Sequence, residues 1–349
     1  MIVGVAASSH KCLKRLLDEP QDHLLKCKRA HLSLPPAAAG ISPCLRPRSP
    51  APPETQNQSL SNIGPYLLFE PCEGVEESYR AVLRHTQQQF TCKVLPFRGY
   101  QERLAPYARL GHHDNICGLS DVAVGEDRVY AFLPAQHGDM HAYVRRQKRL
   151  CEEEARRLFV QMVSALEHCH QHGVILTDLK LRKFVFTDTS RTRLSLQGLD
   201  DAVLLHDVND DALMDRHGCP AYVGPELLSN EKTCYSGRAA DIWSLGVSLY
   251  TMLIGRYPFQ DTQPAVLFAK IRRGTFSLPD WLSPQARCLI GCMLRKSPAE
   301  RLKASEVLMH PWLTEPCSPP PNPSNNTHTP LSFRHHHDDQ VVPTFTGKS

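Results

Sequence analysis

The sequence predicts an α+β fold in which a small strand-rich part is followed by a larger helical part. Three observations carry this reading. Short runs rich in β-branched and aromatic residues lie between residues 66 and 133. Beyond residue 150 the apolar residues switch to a helical period. Proline-rich stretches at 34–65 and 316–330 flank this body and show almost no periodic hydrophobicity. Such stretches bury too little apolar area to offset the entropy of ordering. The expected organisation is a disordered basic and Pro-rich segment 1–65, a folded domain 66–313 and a disordered tail 314–349.

The elements follow in order. Tyr66-Leu-Leu-Phe, Tyr79-Arg-Ala-Val-Leu, Phe90-Thr-Cys-Lys-Val-Leu and Arg128-Val-Tyr-Ala-Phe-Leu read as strands. From Cys151, acidic residues fill a first helical turn. Apolar residues then fall at Ala155, Leu158, Phe159, Met162, Val163, Leu166 and Cys169, one buried helical stripe that Gly173 ends. A second helix is expected from about Ala239 to Gly255.

Composition narrows the function. Apolar residues make up 41% of the 349, enough for a sizeable core. A net charge of +4 is too mild to imply nucleic acid or an anionic membrane as the main partner. No apolar run reaches the ~18 residues a membrane span needs, and polar residues from Ser8 arrive too early for a secretory signal core. Thirteen scattered cysteines with no C-x-x-C pair suit a reducing cytosol or nucleus and argue against a zinc ribbon. Three adjacent histidines, His335 to His337, cannot easily share one metal, so no metal site is expected.

The motifs occur in one order. Cys92-Lys93-Val94 is followed by Thr177-Asp178-Leu179-Lys180, Gly224-Pro225-Glu226, Asp241-Ile-Trp-Ser-Leu-Gly246 and Arg301. Together they resemble a eukaryotic protein kinase domain, and an ordered set of this kind is specific where one match is weak. The resemblance implies a two-lobed kinase-like fold. It also implies where chemistry should fail, because kinases position ATP and neutralise its phosphates with metal. The metal-binding Asn five residues after the catalytic Asp is here Lys183. The D-F-G triplet, in register with Arg193-Leu-Ser-Leu, reads Gly198-Leu199-Asp200. Both oxygen ligands are gone, so Mg-ATP should bind weakly or not at all. Asp200 and Asp201 would be displaced ligands only if the loop slipped by two residues.

Other positions are degraded too. Gly74 alone remains of a three-glycine phosphate loop, with Glu73, Glu76 and Glu77 beside it. Thr177 replaces the Arg that usually precedes the catalytic Asp, and Glu102 is the nearest candidate partner for Lys93. Lys93 and Asp178 themselves survive. One reading is residual, metal-independent nucleotide binding. The other, favoured, is that Lys93 pairs with a local carboxylate and Asp178 caps its loop.

The likeness narrows further. Phe132 to His141, Asp178 to Phe184, His217-Gly-Cys-Pro-Ala-Tyr-Val223, Tyr235-Ser-Gly and Lys270-Ile-Arg-Arg-Gly274 resemble the Tribbles pseudokinases. That resemblance implies an adaptor rather than an enzyme, with substrates such as CCAAT/enhancer-binding transcription factors brought to a ubiquitin ligase for proteasomal degradation. Asp338-Asp339-Gln340-Val341-Val342-Pro343 is similar to the family motif for the constitutive-photomorphogenesis E3 ligase. Carboxylates there meet a basic rim, Val342 fills an apolar pocket, and Pro343 lowers the entropy lost on binding. His310-Pro311-Trp312-Leu313 falls where Tribbles proteins dock MAP kinase kinases; the plainer alternative is a last helix with Trp312 packed inward. The family has nuclear and cytosolic members, and basic clusters at Lys11, Lys14, Arg15 and at Lys26, Lys28, Arg29 suit import or plain solvation. The rival functions are a weak Ser/Thr kinase and a kinase-docking inhibitor with no degradation role.

Overall fold

A computed structural model describes residues 61–72, 77–216, 218–229 and 233–314. Within these residues the chain forms two compact units, one of 61–102 with 118–135 and one of 103–117 with 136–314.

The first unit is a six-stranded antiparallel sheet. Its strands are β1 (Ser61–Ile63), β2 (Tyr66–Pro71), β3 (Ser78–Leu83), β4 (Gln89–Pro96), β5 (Asp121–Val124) and β6 (Arg128–Pro134), in the order β1-β2-β3-β4-β6-β5. All four expected strands are present. β1 lies ahead of residue 66, inside the segment expected to be disordered. It is only three residues long, too short for an alternating pattern to register.

Period-two alternation sets the sheet's core. On β4, Phe90, Cys92 and Val94 point inward, while Thr91 and Lys93 sit on the other face. Tyr66 stacks on Phe132 with ring centroids 3.8 Å apart and meets Phe90 edge-on at 5.5 Å. Its hydroxyl donates to Asp121 Oδ2 at 3.2 Å, tying β2 to the edge strand β5. Burying an aromatic ring of this kind contributes ~1.5–3 kcal/mol.

The division between the units falls within α1 (Tyr100–Leu110). The second unit then contains α2 (Met140–Gln147), α3 (Glu152–Gln171), α4 (Gly237–Ile254), α5 (Pro264–Arg273), α6 (Pro284–Met293), α7 (Ala304–Leu308) and α8 (Pro311–Thr314). Short strand pairs stand among them: β7 (Val174–Ile175) with β10 (Val203–Leu204), β8 (Phe184–Phe186) with β9 (Leu194–Leu196), and β11 (Ala212–Leu213) with β12 (Tyr235–Ser236).

Helix α3 buries the expected stripe, with Cys151 as its N-cap residue. Helix α4 begins two residues before the expected Ala239. Ser236 caps it, accepting from Ala239 N at 3.2 Å, and Gly255 ends it in the left-handed region. Apolar residues surround α4 on every side, so it is the central helix of this unit. Two charged anchors fasten it. Arg301, buried, donates from Nη1 and Nη2 to Glu226 Oε1 and Oε2 at 2.6 and 2.7 Å, and from Nη1 to the Ala239 carbonyl at 2.8 Å. The same guanidinium lies 4.9 Å from the centre of the Trp243 ring.

Candidate functional site

The second anchor is Asp241, 1% exposed on the first turns of α4. Its Oδ2 accepts from Leu176 N at 2.9 Å and meets His170 Nε2 at 3.0 Å, and its Oδ1 accepts from Thr177 N at 3.0 Å. One carboxylate thus holds the loop that follows β7. The hold is needed because Thr177 has φ +56°, which a β-branched residue rarely adopts and which costs ~1–3 kcal/mol. Its hydroxyl donates to the Leu176 carbonyl at 2.8 Å.

Asp178 stands next in this loop. Its Oδ2 pairs with Lys180 Nζ, and its Oδ1 accepts from Cys219 N at 3.1 Å. The carboxylate therefore ties the loop to the segment around Cys219.

Lys183 closes the single turn Leu181–Lys183 immediately before β8. The β8–β9 register pairs Phe184 with Leu196, and Gln197 N donates to the Lys183 carbonyl at 2.8 Å. That register sets Lys183 beside Gly198 with no slip of the loop. Lys183 Nζ donates to the Gly198 carbonyl at 2.9 Å. A Cβ at Gly198 would stand 3.8–4.0 Å from the lysine stem, and the glycine has φ +72°. The two altered positions therefore meet each other: the lysine fills the space that a side chain at 198 would face.

The electrostatics follow. Burial pushes the Lys183 amine down from the ordinary lysine range. The carboxylates of Asp178 and Asp201 oppose this, Lys180 adds to it, and Asp200 opposes it. A lysine side chain at this position brings a basic amine where an oxygen-lined site would hold a divalent ion. The donor set does not fit Mg²⁺. Position 198 offers no side-chain oxygen, position 183 presents a cation, and Asp178 is engaged with Lys180. Beyond Gly198, Leu199 is buried and its N–H donates to Tyr107 Oη at 3.2 Å. Burial and the charge of Asp200 push that phenol far above its ordinary value, so it remains a neutral hydroxyl.

Lys93 lies in the other unit, half-buried on β4, with Ser78 and Ala131 as its cross-strand neighbours. The Glu102 carboxylate folds over Gly99, where a Cβ would stand 3.2 Å from Oε2. Loop residues 73–76, with Gly74, lie outside the described residues, as do Asp338, Asp339, Gln340, Val341, Val342 and Pro343. His310 to Leu313 run into and through α8. Trp312 is fully buried, packs edge-on against Phe159 at 6.1 Å and donates from Nε1 to Glu152 Oε2 at 2.9 Å. As a docking residue it is corrected to a packing residue, since no face of the indole is left for a partner. Pro311 is exposed, and His310 and Leu313 are half-buried.

Two residues that matter here were not singled out as site residues in the sequence. Tyr107 is 92 residues from Leu199, and no local pattern announces their bond. The Lys180–Asp178 pair had a signal, a cation two residues from the carboxylate.

The protein kinase domain family matches residues 75–313. The chain is 48% identical over 347 residues to Tribbles homolog 3 of Bos taurus, covering 99% of this chain and 94% of that protein. It is 54% identical over 268 residues to Tribbles homolog 2 of Mus musculus, 76% of this chain and 77% of the relative. It is 49% identical over 318 residues to Tribbles homolog 1 of Homo sapiens, with coverage of 88% and 84%.

Proposed function

The chain belongs to the Tribbles family and carries its protein kinase domain, and from the lysine at the metal position we propose that it is a catalytically impaired adaptor. The single observation that supports this is the Lys183–Gly198 contact at 2.9 Å. Phosphoryl transfer depends on metal to neutralise developing charge, and losing that removes several kcal/mol of transition-state stabilisation. An adaptor needs none of it. In this reading the larger unit captures a substrate segment such as one from a CCAAT/enhancer-binding transcription factor. Asp338 to Pro343 recruit a constitutive-photomorphogenesis-type E3 ubiquitin ligase, whose chemistry marks the substrate for the proteasome. MAP kinase kinases dock near α8, through Pro311 and its exposed surroundings rather than Trp312. The protein works in nucleus and cytoplasm.

Two assays test this. Purified protein with radiolabelled ATP and Mg²⁺ should give no transfer above background; transfer abolished by Asp178→Asn would overturn the catalytic half. Changing Val342 and Pro343 to Ala should abolish ligase pull-down and lengthen substrate half-life in cells, with an unchanged melting temperature. Unchanged substrate turnover would leave a kinase-docking inhibitor in its place.

A further inference from the structure

Arginines among the described residues are held by carboxylates, by backbone carbonyls, as Arg109 and Arg238 are, and by aromatic rings. Arg80, Arg128, Arg287 and Arg301 each face a carboxylate. Four others lie over aromatic rings, one of them, Arg156, over the buried Trp312. Arg146 and Arg191 lie 5.7 and 5.5 Å from the centre of the Tyr143 ring, and Arg149 lies 4.4 Å from the centre of the Trp281 ring. Trp281 is 52% exposed, whereas Trp243 and Trp312, the other two tryptophans, are fully buried.

The two sets of contacts are neighbours along the chain of the larger unit. Arg146 and Arg149 are three residues apart across the end of α2, and α3 begins three residues beyond Arg149. Glu154 in the first turn of α3 accepts from Tyr143 Oη at 2.5 Å. Glu152 accepts from Ser283 N at 2.7 Å and from Ser283 Oγ at 2.6 Å, two residues beyond Trp281. Glu154 and Glu152 thus accept from neutral donors. Glu153 remains exposed there as the opposing charge, against Arg145, Arg146, Lys148 and Arg149, all exposed.

The presenting turn is rigid. Lys148 has φ +66°, and Leu150 N donates to the Met252 carbonyl at 2.8 Å. A Cβ at Gly255 would stand 1.9 Å from the Lys148 carbonyl oxygen, so only glycine lets the turn seat against the end of α4.

A guanidinium over the face of a ring keeps its charge, and its N–H groups are not used up by the ring. Carboxylates accept the guanidinium's N–H fork in pairs. We propose that Arg146, Arg149 and Arg191, with Trp281, form a docking surface for an acidic peptide segment of a partner protein, rich in Asp and Glu. Nucleic acid fits less well, because Glu153 and Glu154 interrupt the positive surface. A membrane fits less well, because the aromatic faces are covered by arginine. The proposal is independent of the adaptor reading, and its failure leaves that reading untouched.

The test uses the full chain and a fluorescein-labelled peptide of alternating Asp and Glu, beside the same peptide with Asn and Gln. Trp281 is the one exposed indole, so its emission reports occupancy directly. Binding of the acidic peptide alone, with a change in Trp281 emission that Trp281→Phe removes, is expected. Replacing Arg146, Arg149 and Arg191 together by Gln should weaken binding at least about tenfold, and replacing them by Lys should recover only part of it, since Lys keeps charge but loses the fork. Equal affinity in the Gln variant would place any binding elsewhere, on the basic N-terminal clusters for example, and overturn the proposal. So would binding confined to phosphatidylserine vesicles or to a DNA duplex. Melting temperature, read for every variant, keeps loss of binding apart from loss of fold; if the triple variant melts early, Arg149→Gln alone carries the test.

Discussion

Two regions of the larger unit have different contents, though the first holds the loop that leads into the second. Around Asp241 and Arg301 every charge has its partners: three bonds converge on one carboxylate and a two-pronged pair closes the other. Around Lys183 and Gly198 the oxygen ligands of a metal site are gone, and an ammonium bonded to a carbonyl stands in their place. The Asp241 anchor is built from protein groups alone. The Asp241 carboxylate reaches the loop through the backbone N–H groups of Leu176 and Thr177, so this hold does not depend on the side chains that the loop carries.

This contrast can be broken at either end. The largest effect should come from Asp241→Ala, which strands the Leu176 and Thr177 N–H groups and removes the support for Thr177 at φ +56°. A loss of about 3–5 kcal/mol is expected in chemical denaturation, similar to that for breaking Arg301 from Glu226. A loss under about 1 kcal/mol would show that the frame is held elsewhere.

A smaller effect is expected from Lys183→Asn with Gly198→Asp. The pair restores two oxygen ligands and removes the internal cation, so millimolar Mg²⁺ should raise the melting temperature of this variant and leave the parent unmoved. Lys183→Asn alone leaves the Gly198 carbonyl without its donor and should cost about 1–3 kcal/mol. A parent protein stabilised by Mg²⁺ to the same extent would refute the contrast.

The smallest effect is a pH dependence at Glu152. Burial pushes this carboxyl up, but bonds from Ser283 Oγ, Ser283 N and Trp312 Nε1, with the charge of Arg156, outweigh burial and leave it below its ordinary 4.5. A carboxylate with a depressed folded value stabilises the fold above about pH 4.5 and loses that contribution as pH falls through the folded value. Stability should therefore fall more steeply with acid below pH 4.5 in the parent than in Glu152→Gln. Identical acid limbs in the two proteins would remove Glu152 from the account.

Much of this was legible in the sequence, for identifiable reasons. The helical stripe from Ala155 to Cys169 and the strands at Tyr66, Tyr79, Phe90 and Arg128 are local patterns, and local patterns survive folding. Counting from Asp178 and from the strand at Arg193 located Lys183 and Gly198. Their direct bond was not legible, because it depends on the β8–β9 register, which brings positions 15 residues apart together. Trp312 shows the opposite case. Its motif reads equally well as a docking site or as a helix end, and only the Glu152 bond and the burial of the indole decide for packing. Of the arginines over Tyr143 and Trp281, only Arg146 shares an element with its ring; Arg149 and Arg191 meet theirs from other parts of the chain, which no local pattern announces.

The seat of Trp312 also has a mechanical meaning. The described chain ends at Thr314, two residues beyond an indole lodged in the core and bonded to the first turn of α3. Tension on whatever follows is delivered to that indole almost at once, and through Glu152 to Ser283 at the head of α6. The load is shared between two helices rather than peeling the four-residue α8 away, so a machine pulling from this end must dislodge a core side chain before the first helix gives way.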